Sequence, residues 1–292
     1  MAITTGGLVM LSAMLPELPE SERKIANYIL ENPQEAITLT ASELGKRSST
    51  SSAAVIRLCK SLNLKGFQEL KLKIAGDLQK RKTSGLKKIE PFESEHIVME
   101  KVTSSSIDIM QETLEVLSVN ELTKAVDLFI HADNIHFFGV GPSSIVAKDA
   151  QQKFLLINKN AVAFTDLFTA KTAMTSINEQ DVVVGISFSG STPEVTDILS
   201  LANEKGVPTM SVAKYGSSQL AAHADVRLFT SAKTELTIQH GEVLSRLGLL
   251  HIIDILFMCV VARQYDETIT SLQLAKDVLT SGRRDRNKAR KT

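Results

Sequence analysis

The sequence predicts an α/β protein, with an N-terminal all-α helix-turn-helix domain followed by a doubly wound parallel-sheet domain. Three observations carry this prediction. Up to about residue 80 the apolar residues recur only at helical spacing. From residue 134 onward short apolar runs alternate with helical stretches, the rhythm of parallel strands joined by crossover helices that cover both faces of a sheet. Charge divides along the same line. Residues 41–82 carry ten basic and three acidic side chains, whereas residues 83–282 sum to −9, although the net charge of the chain is zero. Two parts with different partners are expected.

The elements follow in order. "LPESERKIANYIL" places Pro19 near a helix start and sets Ile25, Tyr28 and Ile29 on one face, and "ENP" stops that helix at Pro33. "TASE", from Thr40 to Glu43, has the spacing of a capping box with Leu44 facing inward. A polar break, "KRSSTSS", leads to a second helix in which Val55, Leu58, Cys59 and Leu62 stand at i, i+3, i+4 and i+7. "LKGF" then turns the chain into "QELKLKIAGDLQKR". Residues 1–80 form the first domain, and 81–95, aperiodic with Gly, Pro and charge, form a linker. A long helix from His96 to Leu117 opens the second domain, 96–280. Its strands are "NIHFFGV", "NAVAFT", "DVVVGISF", "VPTMSVA" and a weaker "DVRLFT", before a long helix over 241–265. Residues 281–292 are a basic tail.

Bulk properties narrow the class. A chain of 292 residues with 43% hydrophobic and 23% charged residues buries one large core or two modest ones and reads as soluble and globular. Cys59 and Cys259 match no metal-ligand spacing and read as small apolar residues in a reducing compartment. "GLVMLSAML" has no basic run before it, so no secretory signal is expected. The most apolar stretch, 247–262, contains His251 and Asp254 and falls short of the roughly 20 apolar residues that span a bilayer. It reads as a buried core helix. A cytoplasmic protein without a membrane partner is expected.

The second helix of the helix-turn-helix carries the first candidate site. Opposite its core side stand Ser52, Ile56 and Lys60, flanked by Ser51, Ala53 and Arg57. A helix entering the major groove needs slim residues for close approach, hydroxyls for phosphates and cations for guanine edges. Lys46, Arg47, Lys65, Lys71 and Lys73 are candidate phosphate contacts. The same face also fits the solvated side of a helical bundle; the concentration of positive charge in this block favours DNA.

"SFSGSTPE", residues 187–194, carries the second. A strand that ends in a Gly/Ser turn and re-enters a helix gathers backbone N–H groups and a positive helix end at one spot, which suits a phosphate. Ser187 and Ser189 project to one side, Gly190 lets the backbone approach, and Thr192 adds a hydroxyl. Part of the motif has a plainer reading, because "STPE" is itself a capping box with Ser191 as the cap and Glu194 returning to it. Capping does not explain Ser187 and Ser189. "GVGPSS", 139–144, repeats the strand-Gly-Ser-helix pattern, and two such loops suit a ligand at the carboxyl ends of a parallel sheet. It lacks the third glycine and the acidic partner of a dinucleotide fingerprint, so no nicotinamide cofactor, and no other cofactor or metal, is expected.

Together "LPESERKIANYIL", "SSAAVIRLCKSLNLKGFQELK", "HFFGVGPSSIVAKDAQQKF" and "ISFSGSTPE" resemble the RpiR-type transcriptional regulators. In that family a helix-turn-helix domain precedes a sugar isomerase (SIS) domain that senses a phosphosugar. The chain is similar in particular to the branch with N-acetylmuramic acid 6-phosphate sensors, through "VAKDAQQK" and the "SRL" and "IDILF" segments. The resemblance implies that Ser187, Ser189 and Thr192 hold the phosphate, with Gly190 and Ser191 of the same loop and Ser143 from the other. Glu235 matches an acidic position used near the sugar. The family's recognition helix commonly reads S-x-A-T-V-x-R; here Ala54 replaces the threonine, which removes one hydroxyl from the phosphate contacts. His240 and Glu242 stand where relatives tend to show small residues, a change that alters either the sugar that fits or only the packing.

SIS domains also occur in isomerases and in an etherase acting on an amino-sugar phosphate, so catalysis is the alternative. Isomerisation needs a base beside the sugar's C2, and Glu194, Glu235, His240, Glu242 and, more remotely, His223 are the candidates. His251, in the apolar helix, reads as a core histidine. A pure enzyme has no evident need of a helix-turn-helix. The expectation is therefore a non-enzymatic repressor of sugar or amino-sugar catabolism, with operator DNA and a phosphosugar as partners. Helix-turn-helix proteins generally read two half-sites, so a homodimer or homotetramer is expected, with 96–117 and 241–265 as candidate interface helices.

Overall fold

The computed structural model describes residues 6–80, 89–232 and 245–289. Contacts divide the chain into two compact units. One comprises Met1–Leu117, Lys214–Ser218 and Phe229–Gly248, the other Ser118–Ala213, Gln219–Leu228 and Leu249–Thr292.

The first unit takes in the ends of two strands and the start of a helix whose bodies lie in the second; the described elements wholly within it are helical: α1 (Gly7–Met14), α2 (Glu20–Glu31), α3 (Pro33–Ala36), α4 (Ala41–Arg47), α5 (Ser52–Ser61), α6 (Phe67–Lys80) and α7 (Glu95–Val116). The stripe anticipated on α5 is buried: Val55, Leu58, Cys59 and Leu62 are fully enclosed and share a core with Ile25 and Ile29 of α2. Helix α1 escaped the reading by periodicity because it is apolar nearly all round. It is held at its start by Asp77 of α6, whose two carboxylate oxygens accept the amides of Gly6 (2.6 Å) and Leu8 (2.8 Å). Helix α7 opens one residue before the expected start and joins this unit, with Glu115 against Gly6. The hydroxyls of Thr113 and Thr230 meet at 2.9 Å, and the Tyr215 hydroxyl donates to the Leu62 carbonyl at 3.1 Å.

The second unit is built on α8 (Val119–His131), β1 (Asn134–Gly139), α9 (Pro142–Leu156), β2 (Asn160–Phe164), α10 (Leu167–Ala173), β3 (Val182–Ile186), α11 (Pro193–Glu204), β4 (Thr209–Lys214), α12 (Gln219–Ala222), β5 (Val226–Thr230), α13 (Ser245–Arg263) and α14 (Tyr265–Ala289). The strands form one sheet in the order β2-β1-β3-β4-β5, and β1 pairs in parallel with both β2 and β3, and β3 with β4. Side chains alternate across a strand, and Phe137 and Phe138 of β1 show the consequence. Phe137 joins Phe129 of α8, Phe154 of α9 and Phe257 of α13 on one face. Phe138 joins Val183, Val195 and Leu199 on the other. All five residues of β3 are buried, which is why it reads as an unbroken apolar run.

Ser118 caps helix α8 by accepting the Glu121 amide, the S-x-x-E signature of a helix start. Helix α10 is short, two turns ending at Ala173. Helix α14 extends through most of the basic run. No single helix among the described residues is long and apolar enough to cross a membrane.

Candidate functional site

The first candidate surface starts from a cap and a turn. Thr40 and Glu43 form the reciprocal capping box, the Glu43 amide reaching Thr40 Oγ1 at 3.2 Å and the Thr40 amide reaching Glu43 Oε2 at 2.7 Å. Helix α4 then crosses the start of α5 so tightly that a Cβ on Gly45 would lie 2.8 Å from the Ser51 carbonyl carbon. Only glycine permits that approach without moving backbone. Ser51 caps α5 by accepting the Ala54 amide at 3.2 Å, which anchors that helix at its N-terminus.

With Ala54, Val55, Leu58 and Cys59 buried, the opposite side of α5 faces out. Ser51, Ser52, Ala53, Ile56, Arg57 and Lys60 are all exposed, as is Lys65 in the turn before α6. Ile56, 43% exposed, is an apolar group with no core role. Of the other cations, Arg47 pairs with Glu35 at 3.1 Å, and Lys71 donates to the Leu39 carbonyl at 3.0 Å beside the Phe67 ring. These two are held within the chain. Burial pushes the Cys59 thiol up to about 11, so it stays a neutral core group.

The second candidate surface lies where the strand order reverses. From β1 the chain goes to β2 on one side and β3 on the other, and the register pairs Gly139 with Ile186. Both Ser-rich loops therefore leave the carboxyl ends of neighbouring strands at a topological switch point, the usual place for a ligand in such a sheet. Gly139 allows the first loop its tight start, since a Cβ there would meet the Ser143 carbonyl oxygen at 2.7 Å. Ser143 sits in the first turn of α9, mostly buried.

In the second loop Ser187, 2% exposed, is the hub. Its Oγ lies 2.8 Å from Thr192 Oγ1 and 3.4 Å from Ser189 Oγ, and accepts the Gly190 amide at 3.2 Å. Ser189 Oγ in turn accepts the Ser191 amide at 3.3 Å and hydroxyl at 3.1 Å. Gly190 has φ +68°, the left-handed region. The expected capping box is not formed. Thr192, not Ser191, is the N-cap of α11, and its side chain makes no capping bond. The hydroxyl network takes precedence: Ser191 turns back to Ser189 and Thr192 to Ser187. A ring of hydroxyls facing a helix start can hydrogen-bond the oxygens of a phosphate.

Glu235, His240 and Glu242 lie outside the described residues. Glu194 is half-buried in the first turn of α11, His251 is half-buried in α13, and His223 is exposed just after α12. Among the described residues no cluster of His, Cys, Asp or Glu could hold a metal ion. Two features carried no sequence signal beyond a glycine at a loop start and an acid in a helix: the close approach at Gly139, and Glu22, whose Oε1 lies 3.8 Å from Arg57 Nε.

Residues 5–81 match the model of the helix-turn-helix domain of the rpiR family, and residues 128–258 match that of the SIS domain. The chain is 42% identical to the uncharacterized HTH-type transcriptional regulator YbbH of Bacillus subtilis, over 96% of this chain and 99% of that one. It is 29% identical to the HTH-type transcriptional regulator HexR of Pseudomonas aeruginosa, over 94% and 96% respectively. A solved structure of the Vibrio vulnificus NanR protein complexed with ManNAc-6P is 26% identical, covers 94% of this chain and 98% of its own, and superposes with a TM-score of 0.59. The relatives named are regulators, and the chain is a DNA-binding transcriptional regulator rather than an enzyme. With both domains in order and a relative alike over nearly its full length, the chain belongs to the RpiR family of helix-turn-helix regulators that carry a SIS domain.

Proposed function

We propose that the protein is a cytoplasmic repressor of sugar or amino-sugar catabolism, controlled by a phosphosugar bound at the carboxyl ends of β1 and β3. The observation that carries this reading is the Ser187 hub, with three hydroxyls and the Gly190 amide converging within 3.4 Å at a switch point. Ser187, Ser189 and Thr192 hold the phosphate oxygens, Gly190 and Ser191 bring backbone amides, and Ser143 closes the site from the neighbouring loop. Glu235 is the acidic residue that the family resemblance assigns to the sugar. The NanR structure, complexed with ManNAc-6P, supports an amino-sugar 6-phosphate as the first ligand to try. On the DNA side, Ser51, Ser52 and Ala53 allow the close approach, Ile56, Arg57 and Lys60 face the bases, and Lys65 meets the backbone. A homodimer or homotetramer presents two such helices to two half-sites.

Control requires that the ligand bind one arrangement of the protein more tightly than another. The test is fluorescence anisotropy with DNA from just upstream of the protein's own operon, against scrambled DNA at fixed salt, before and after a panel of sugar phosphates. Release from the upstream DNA by one phosphosugar is expected. In Ser189→Asp, a carboxylate takes the phosphate's place, so the response should vanish while DNA binding persists. A Ser189→Asp protein that still responds refutes the site. A ligand that tightens DNA binding refutes simple repression by release.

A further inference from the structure

We propose that Glu22 is a positioning residue for DNA recognition: from outside the recognition helix, its buried carboxylate aims Arg57 and so sets part of the sequence discrimination. The inference rests on Arg57 being a DNA contact, as proposed above. Glu22 stands in the first turn of α2 and is only 4% exposed. One carboxylate oxygen accepts the Ser61 hydroxyl at 2.7 Å, and the other lies 3.8 Å from Arg57 Nε. Arg57 and Ser61 are four residues apart on α5, neighbours on one helix face, so a single acid spans one turn of the recognition helix.

Simple packing of α2 on α5 does not call for this group. A buried carboxylate is costly unless its surroundings compensate it, and an apolar side chain of similar size would pack as well. What the charge does is act on Arg57. At 3.8 Å the pair is too long for a hydrogen bond, so it works through charge, drawing the Nε edge of the guanidinium toward α2. The outer edge, with Nη1 and Nη2, is the one that forms the two-pronged contact with guanine O6 and N7. Arg57 keeps 56% of its side chain exposed, so it is oriented without being enclosed. Ordering a rotamer-rich side chain beforehand removes part of the entropy cost of binding. A second arginine pair on this unit differs in kind: Glu35 beside Arg47 is 40% exposed, where the Glu22 side chain is 5% exposed. Solvent reaches both partners of the Arg47 pair but only the arginine of the Glu22 pair, so the Glu22 charge is screened less.

The experiment takes the full chain and a duplex that wild type enriches from a randomised pool, with the same duplex scrambled as reference. Anisotropy at fixed salt gives the ratio of the two affinities for wild type, Glu22→Gln, Arg57→Ala and the double variant, and thermal melts check folding. Glu22→Gln should lower the ratio roughly tenfold, a part of the discrimination one guanine contact supplies, without lowering affinity for scrambled DNA. In the Arg57→Ala background the same change should lower it no further. An unchanged ratio in Glu22→Gln, or an equal loss in both backgrounds, overturns the proposal. Should Glu22→Gln melt well below wild type, Glu22→Asp keeps the charge but draws it back from Arg57, and full discrimination there overturns the proposal equally. A distinct result, Arg57→Ala with an unchanged ratio, overturns the DNA-contact reading on which the proposal rests.

Discussion

Gly139→Ala tests whether the two Ser-rich loops depend on backbone contact at the switch point. The added Cβ would lie 2.7 Å from the Ser143 carbonyl oxygen, 2.9 Å from its carbonyl carbon and 3.2 Å from the Ile186 carbonyl oxygen. All three are backbone atoms, so no side chain can rotate away. Restoring an ordinary 3.4 Å contact to the Ser143 oxygen takes about 0.7 Å of movement. The neighbour that must move is the first turn of α9, packed through fully buried Val146 and Ala147. Overpacking of this kind costs about 1–3 kcal/mol. The same change at Gly66, where an added Cβ meets nothing within 4 Å, should stay within about 0.5 kcal/mol of wild type. The chain has no tryptophan, so urea unfolding followed by circular dichroism is the suitable assay, paired with thermal shift on adding sugar phosphates. Gly139→Ala is expected to unfold at lower urea and to lose the ligand-induced shift, because Ser143 moves with the loop. A midpoint equal to wild type would refute the steric reasoning. A destabilised variant with a full ligand shift would remove Ser143 from the site.

Three further outcomes follow from the packing and the charges. Phe154→Ala removes a fully buried ring from contacts with Phe129, Phe137 and Phe257 and should cost about 3–5 kcal/mol in denaturant unfolding; a loss under about 1.5 kcal/mol would mean that face of the sheet repacks freely. Asp77→Ala leaves the buried amides of Gly6 and Leu8 without their acceptor and should cost about 2–4 kcal/mol, with Asp77→Asn milder because it keeps one acceptor; equal losses would assign the effect to volume instead. The Cys59 thiol, raised by burial from 9.0 to about 11, keeps its proton longer folded than unfolded. Its contribution of about 3 kcal/mol is thus complete below pH 9 and is lost as pH rises toward 11. Denaturation across that window should show the decline in wild type and a shallower one in Cys59→Ala; identical slopes would refute it.

How much of this was legible depends on how far apart the determining residues lie. Thr40 and Glu43 are three residues apart, and their capping box is present as read. Ser118 and Glu121 give a similar signature one turn long, and it marks the start of α8. Helix α1 gave no such signal, since its anchor, Asp77, is about seventy residues away. In the "STPE" segment a local rule and a tertiary one competed. Ser191 had the spacing to cap α11, yet its hydroxyl serves Ser189 and the helix starts from Thr192. A cap is worth about 1 kcal/mol, small enough for a network of neighbouring hydroxyls to override.

By itself, then, the sequence determined the class of each half, the exposed face of α5 and the presence of two Ser-rich loops at strand ends. Those follow from helical and strand periodicity and from caps, which act within a turn or two of chain. The tertiary structure alone decided the strand order, which makes the Ser143 and Ser187 loops neighbours across β1 and β3. It also decided the close approach at Gly139 and the bond between α2 and the recognition helix through Glu22. Each is a meeting of segments distant in sequence, chosen by how whole layers pack, and no local pattern of residues encodes it.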